Sequence, residues 1–299
     1  MYSLLPLEIL INISEYLSSK EILDLSQCCK DYRALVYHTK FSEPAKYYSI
    51  ISLSYFDSFT NMICKDKVVF YPKFINTIVW KANTTLPTNL PKTVTTIRFG
   101  DKYDQQLSNL PETITTIQFG NKYNRSLPDL PNGLTHLIFG RNYNRSLPDL
   151  PNGLTYLIFM QNYNKQLYSL PSTLRCLNLG WNYNHPLPDL PASLTHLILS
   201  GEYNFPLPQL PTSLTHLFTN ISYNHPLPDL PSSLIRLDLG GWYNHPIANL
   251  PNSLIRLSLG WNFNHPLTQI PESLQYLKIS KRVKIPDKLP PNLRIKHLK

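Results

Sequence analysis

PSTLRCLNLGWNYNHPLPDL, residues 171–190, runs directly into PASLTHLILSGEYNFPLPQL, residues 191–210, and the two segments superpose without a gap. Pro171, Leu174, Leu177, Leu179, Tyr183, Asn184 and Leu187 all recur 20 residues later. Outward from this stretch, a Leu-Pro or Ile-Pro pair keeps the same interval from Leu90-Pro91 and Leu110-Pro111 to Leu250-Pro251 and Ile270-Pro271. A fixed short period is the mark of a solenoid, in which each unit must stack on its neighbours to bury its apolar face.

The segment P-x-x-L-x-x-L-x-L alternates with period two at its centre. It therefore predicts a short strand whose leucines point inward and whose intervening residues point out. Strands of successive turns are expected to pair in parallel, roughly eleven of them spanning on the order of 50 Å. The return stretch, for example His185-Pro186-Leu187-Pro188-Asp189-Leu190-Pro191, cannot be helical, because its prolines lack N–H donors and clash with a preceding turn. It must be extended or polyproline-like. Asn at 124, 144, 164, 184, 204, 224, 244 and 264 follows an aromatic residue, and its side chain is expected to bond backbone groups of its own and the adjacent turn. Pro72, Ile75, Ile78 and Trp80 form a degenerate first unit, and Pro290, Leu293 and Leu298 a degenerate last one.

With 42% hydrophobic residues the 299-residue chain can fold, and its 27 prolines are mostly periodic, so they belong to the architecture. The formal charge of +9 is uneven. Residues 1–90 and 91–277 each net +1, and residues 278–299 supply the remaining +7. That basic end reads as a solvated cap over the last turn rather than a phosphate-binding element. The start has no basic residue before its apolar positions and no cleavage site, and no stretch approaches the roughly 20 apolar residues of a membrane span. An intracellular protein, cytoplasmic or nuclear, without membrane contact, is expected. Cys28, Cys29, Cys64 and Cys176 are too few and too irregular for a disulfide framework or zinc site.

Residues 1–45 differ in kind. Ile9, Leu10, Ile13, Tyr16 and Leu17, then Ile22, Leu23 and Leu25, fall at helical spacing and predict helices separated near Ser18-Ser19. The order Leu5, Pro6, Glu8, Ile9, Leu10, Ile13, Tyr16, Leu17, Leu23, Leu25, then Cys29, Lys30, Tyr32 and Arg33, resembles an F-box. The resemblance implies a three-helix module in which Leu5 to Leu25 dock the Skp adaptor of a cullin-based ubiquitin ligase. A helical cap on the first repeat is the structural alternative. The repeats resemble FNIP repeats, through Tyr183-Asn184-His185-Pro186-Leu187 and its equivalents, and the 20-residue bacterial leucine-rich repeat, over about three quarters of the chain. Such repeats joined to an F-box are, by that resemblance, typical of social amoebae and of giant viruses that infect them. The expected fold is an α + β solenoid. It comprises a helical F-box-like module (1–45), a connecting segment (46–70), and a leucine-rich-repeat-like parallel-β solenoid with an extended convex side (71–299).

No nucleotide-, hydrolase- or metal-binding motif is present. Asp129, Asp149, Asp189 and Asp229 are turn formers, and His185, His225, His245 and His265 form a repeated column, so no catalytic residue, metal or cofactor is expected. The outward strand positions vary while the framework stays constant. They group His136, Ile138, Tyr156, Ile158, His196, Ile198, His216, Phe218 and Arg236, with Trp181 beside them, as a surface for an unknown target protein. Isoleucine also simply suits a strand. The functional expectation is a non-catalytic substrate-recognition subunit of an SCF-type ligase. A repeat scaffold that binds protein without a ligase is the alternative.

Overall fold

The structure, a computed structural model, describes residues 40–298 apart from 55, 66, 67, 69, 109, 200 and 248. The predicted F-box positions from Leu5 to Leu25 lie outside the described residues.

Fourteen strands form one parallel sheet in strict chain order. They are β1 (Ala45–Lys46), β2 (Asn61–Cys64), β3 (Thr77–Trp80), β4 (Thr96–Phe99), β5 (Thr116–Gln118), β6 (His136–Ile138) and β7 (Tyr156–Phe159). The series continues with β8 (Cys176–Leu179), β9 (His196–Ile198), β10 (His216–Phe218), β11 (Arg236–Asp238), β12 (Arg256–Ser258), β13 (Tyr276–Ile279) and β14 (Arg294–His297). From β4 to β13 each residue pairs with the one 20 positions on, as Leu197 does with Leu217 and Leu217 with Leu237. At about 4.8 Å per strand the sheet is about 60 Å across.

The expectation that residues 46–70 merely connect two units needs correction. β1 pairs with β2, and β2 with β3, so this segment extends the sheet. Phe41, Tyr47, Ile50, Met62 and Cys64 are buried in continuity with the main core. Apolar residues suffice for this stacking even though the proline punctuation is missing and the offsets, Met62 to Ile78 and Thr77 to Thr96, are irregular. One helical turn (Tyr47–Ile50) and a 3-10 turn (Phe56–Ser58) are the helical elements among the described residues.

The sequence pattern maps onto specific bonds. In each P-x-x-L, the proline carbonyl accepts the N–H of the residue three on, from Pro72–Ile75 to Pro290–Leu293. This β-turn aims the chain into the strand. Ser213, Ser233, Ser253 and Ser273 then donate to the carbonyls of Leu194, Leu214, Leu234 and Leu254 at 2.7 Å, sewing each turn to the one before. Asn124 Oδ1 accepts the backbone N–H of Asn144 at 3.0 Å, and the same bond runs through Asn164, Asn184, Asn204, Asn224 and Asn244 to Asn264. These amides are half-buried or exposed, so the ladder runs along the surface of the return side.

Three inward columns fill the interior. Leu134, Leu137 and Phe139 and their equivalents are all but inaccessible. Phe99, Phe119, Phe139 and Phe159 stack with ring centroids 5.1–5.3 Å apart. Leucine takes over this column at Leu179. The tyrosine of the aromatic-Asn pair also points in: Tyr103 to Tyr243 form a stack of eight rings, each at most 1% exposed, at spacings of 6.0–6.3 Å. Full burial of such a ring contributes roughly 1.5–3 kcal/mol of transfer free energy per turn, plus a fraction for favourable ring geometry. Close stacking also explains the glycines at the strand exits, since a Cβ on Gly140 would overlap the carbonyl oxygen of Gly120.

Candidate target-binding surface

The outward residues of the strands form two columns on one face of the sheet, because alternate residues of a strand share a face. In one column His136, Tyr156, Cys176, His196, His216 and Arg236 stand in register. In the other, Ile138, Ile158, Asn178, Ile198, Phe218 and Asp238 do. The sheet thus brings together every expected target-binding residue except Trp181. That side chain follows Gly180, whose φ of +72° is the left-handed turn that ends β8. It is 43% exposed and leans across Gly201, where a side chain would collide with the indole. Trp181 therefore marks the edge of the face.

The face is ordered by ring contacts. His136 stacks on Tyr156 at 4.4 Å and His196 on His216 at 4.3 Å. The Arg236 guanidinium lies over the Phe218 ring at 4.6 Å while its nitrogen sits 3.6 Å from Asp238. Cys176 and Asn178 on β8 separate the two apolar clusters. Asn178 Oδ1 accepts the N–H of Gly180 at 3.1 Å, which fixes that side chain to its own turn.

The imidazole tautomers follow from the hydrogen bonds. Thr135, Thr195 and Thr215 give their hydroxyl protons to carbonyls of the preceding turn and lie 2.8–2.9 Å from Nδ1 of His136, His196 and His216. Nδ1 must then be the donor, leaving Nε2 to face outward. Burial holds the pKa of His136 below its ordinary value. Burial does the same for His216, assisted by the neighbouring His196 and Arg236. In this tautomer a neutral imidazole offers an Nε2 acceptor on an otherwise apolar patch.

On the return side, His185, His225, His245 and His265 each turn Nε2 to an Asn carbonyl of the preceding turn at 3.0–3.3 Å. The column is a surface brace. Among the described residues no three His, Cys, Asp or Glu side chains converge on a point that could hold a metal. No described helix is long and apolar enough to cross a membrane. Cys64 is buried, which pushes its thiol up to about 12 and makes it a poor nucleophile.

The basic C-terminal residues divide. Lys278, Arg294 and Lys296 stand on the sheet face, whereas Lys281, Arg282 and Lys284 lie in the loop beyond β13. The period-two alternation of the strands places Lys278 in the outward column, whereas Arg294 and Lys296 read from the sequence as part of the cap. The register signal that singles out the first three is the pairing of Tyr276 with Arg294, an 18-residue step.

The FNIP Repeat family model matches residues 83–122, 123–149, 143–182, 183–219 and 243–282, together more than half of the chain. The chain belongs to the FNIP-repeat family. The F-box domain model matches residues 2–43, so this FNIP-repeat protein joins an F-box to its solenoid. No curated protein matches it. Among solved structures it is similar to CroV588, described as a novel circular LRR protein, at a TM-score of 0.62 and 29% identity over 85% of this chain. It also resembles YopM from Yersinia enterocolitica (TM-score 0.55, 23% identity, 85% of this chain) and YopM from Yersinia pestis, a leucine-rich effector protein (0.52, 26%, 75%). The FNIP-repeat chain spans 44% of the CroV588 chain and 66% of each YopM chain. F-box modules and leucine-rich-type solenoids are typically non-catalytic.

Proposed function

We propose that this FNIP-repeat protein is a non-catalytic, intracellular substrate-recognition subunit of an SCF-type ubiquitin ligase. The F-box docks the Skp adaptor through Leu5, Pro6, Glu8, Ile9, Leu10, Ile13, Tyr16, Leu17, Leu23 and Leu25, and the sheet face from His136 to Arg236 holds the target. The observation that carries this reading is the F-box match at residues 2–43, which runs directly into the solenoid and whose described end includes the core residue Phe41. Physical logic supports it. A module of about 40 residues cannot cover its own apolar surface, and a partner completes the burial. The solenoid has a constant interior and a variable outer face, the division of labour that a recognition subunit requires.

Purified full-length protein should retain purified Skp adaptor in a pull-down and lose it on Leu10→Asp with Ile13→Asp. Absence of binding, or binding untouched by the double substitution, would refute the ligase reading. The alternative is a repeat scaffold in which the N-terminal segment, residues 1–45, caps the solenoid. Its support is the depth of Phe41, which is inaccessible and bonded to Ser58 and Thr60 at the first described turn. On that reading deletion of residues 1–45 lowers solenoid stability but retains the bound partners and leaves their turnover unchanged.

A further inference from the structure

Beyond Phe218 the sheet face changes chemistry. One column continues from Arg236 through Arg256 and Tyr276 to Arg294, and the other from Asp238 through Ser258 and Lys278 to Lys296. Among the described residues, ion pairs within 4.0 Å are formed by Arg125 with Asp104 and by Arg236 with Asp238. Arg256, Lys278, Arg294 and Lys296 are thus cations without an acidic partner among the described residues. Arg256 lies 6.0 Å from the centroid of the Tyr276 ring and is exposed.

Three adjoining depressions run along this part of the face. The first, of about 280 Å³, lies between Ile198, Phe218, Thr219 and Asp238. The second, of about 230 Å³, lies between Asp238, Arg256, Tyr276 and Lys278. The third, of about 720 Å³, is lined by Arg256, Tyr276, Gln275 and Arg294. Shared walls, Asp238 between the first two and Arg256 with Tyr276 between the last two, make them one groove from β9 to β14. It is apolar at one end and cationic at the other.

We propose that this groove takes an acidic polypeptide segment of the target protein. An apolar side chain enters between Ile198 and Phe218, and Asp or Glu carboxylates lie over Arg256, Lys278 and Arg294. The inference rests on the reading of the sheet face as the target-binding surface and names the chemistry it selects. An arginine fork matches a carboxylate with two parallel hydrogen bonds. From Phe218 on β10 to Arg256 on β12 and Lys278 on β13 is two to three strand spacings, about 10–14 Å, which is three or four residues of extended chain. The recognised pattern is therefore an apolar residue with acidic residues three or four positions away. Nucleic acid fits less well. Its phosphates repeat every few ångströms along the strand, and beyond Arg256 they would meet Asp238 and then an apolar floor.

Selection of phage-displayed random dodecapeptides on the full-length protein tests the groove. Enriched peptides should carry Asp or Glu three or four positions from an aliphatic or aromatic residue. Synthetic copies should bind roughly tenfold or more weakly to the Arg256→Glu, Lys278→Glu double variant in fluorescence polarisation. Phe218→Asp should weaken them as well. Arg141→Glu with Lys165→Glu, cations off the sheet face, should leave them unchanged. Circular dichroism verifies that each variant keeps the fold. The proposal is overturned by selected peptides without acidic bias, by acidic peptides whose binding survives the double reversal, by failure to enrich any peptide, or by a single-stranded oligonucleotide that outcompetes them in the groove. Peptides that lack acidic bias yet are lost on Phe218→Asp would remove the acidic preference and keep the face as the target site. Adaptor binding through the F-box is read separately in the pull-down.

Discussion

Raising the pH past 10 should unfold the solenoid in one step, because the tyrosine stack is a row of weak acids sealed from water. Tyr103, Tyr123, Tyr143, Tyr163, Tyr183, Tyr203, Tyr223 and Tyr243 are each at most 1% exposed. Burial pushes Tyr183 and Tyr243 up to about 12 and raises the other six as well. In the unfolded chain a tyrosine ionises near pH 10. Below that value both states keep the proton and the full stability is present. Above it the unfolded chain releases protons that the folded state retains, so stability falls by up to about 1.4 kcal/mol per tyrosine per pH unit. At pH 11 eight such groups together remove about 11 kcal/mol, comparable with the whole stability of a typical domain. Tyrosinate absorbance and far-ultraviolet circular dichroism, followed together in pH steps, should show exposed tyrosines titrating first. The buried set should then ionise abruptly as the sheet signal collapses near pH 11. Smooth titration of all 19 tyrosines around pH 10 with the sheet signal intact would refute the buried stack.

The same column predicts that Tyr143→Phe stabilises the protein by about 1 kcal/mol in urea unfolding, because the Tyr143 hydroxyl is buried without a hydrogen-bond partner among the described residues. Phe263 already occupies the equivalent place against Tyr243. Gly140→Ala should cost about 1–3 kcal/mol through overlap with Gly120. Gly133→Ala, whose new methyl would stand 3.6 Å from the Glu112 carbonyl, should be neutral or slightly stabilising. Leu197→Ala, at a fully buried position in mid-stack, should cost about 3–5 kcal/mol and lower the urea midpoint.

How much of this was readable from residues alone depends on whether a feature is local or arises from stacking. The turn at P-x-x-L, the strand that follows and the extended return are set within a single repeat by proline geometry and period-two alternation, and all three appear where expected. The Asn ladder was also legible, since an amide at a fixed 20-residue interval has one obvious neighbour. Burial of the tyrosines was not anticipated. A residue with a hydroxyl next to Asn reads as part of a surface turn, and only closure of the coil places Tyr123 against Phe119, with centroids 4.1 Å apart. β1 and β2 were hidden for a different reason, as their coils have unequal lengths and no P-x-x-L pattern to announce them. The expected target-binding columns lie together on one face, but the cationic half of the groove depends on a shortened last turn. A period of 20 sets Lys296 opposite Tyr276, whereas the actual partner is Arg294.

One contact in the seam between turns recurs unchanged from Asn124 to Asn264. Each Asn receives its successor by one amide contact, and each serine at the start of a turn clasps the leucine before it, whatever the outward strand residues are. Whole turns could therefore be copied, lost or exchanged in units of 20 residues, with the Asn contact at each junction from Asn124 to Asn264 preserved. A lineage carrying such a chain can lengthen or re-letter its gripping face by recombination between identical joints, while the residues that make it fold pass through each rearrangement untouched.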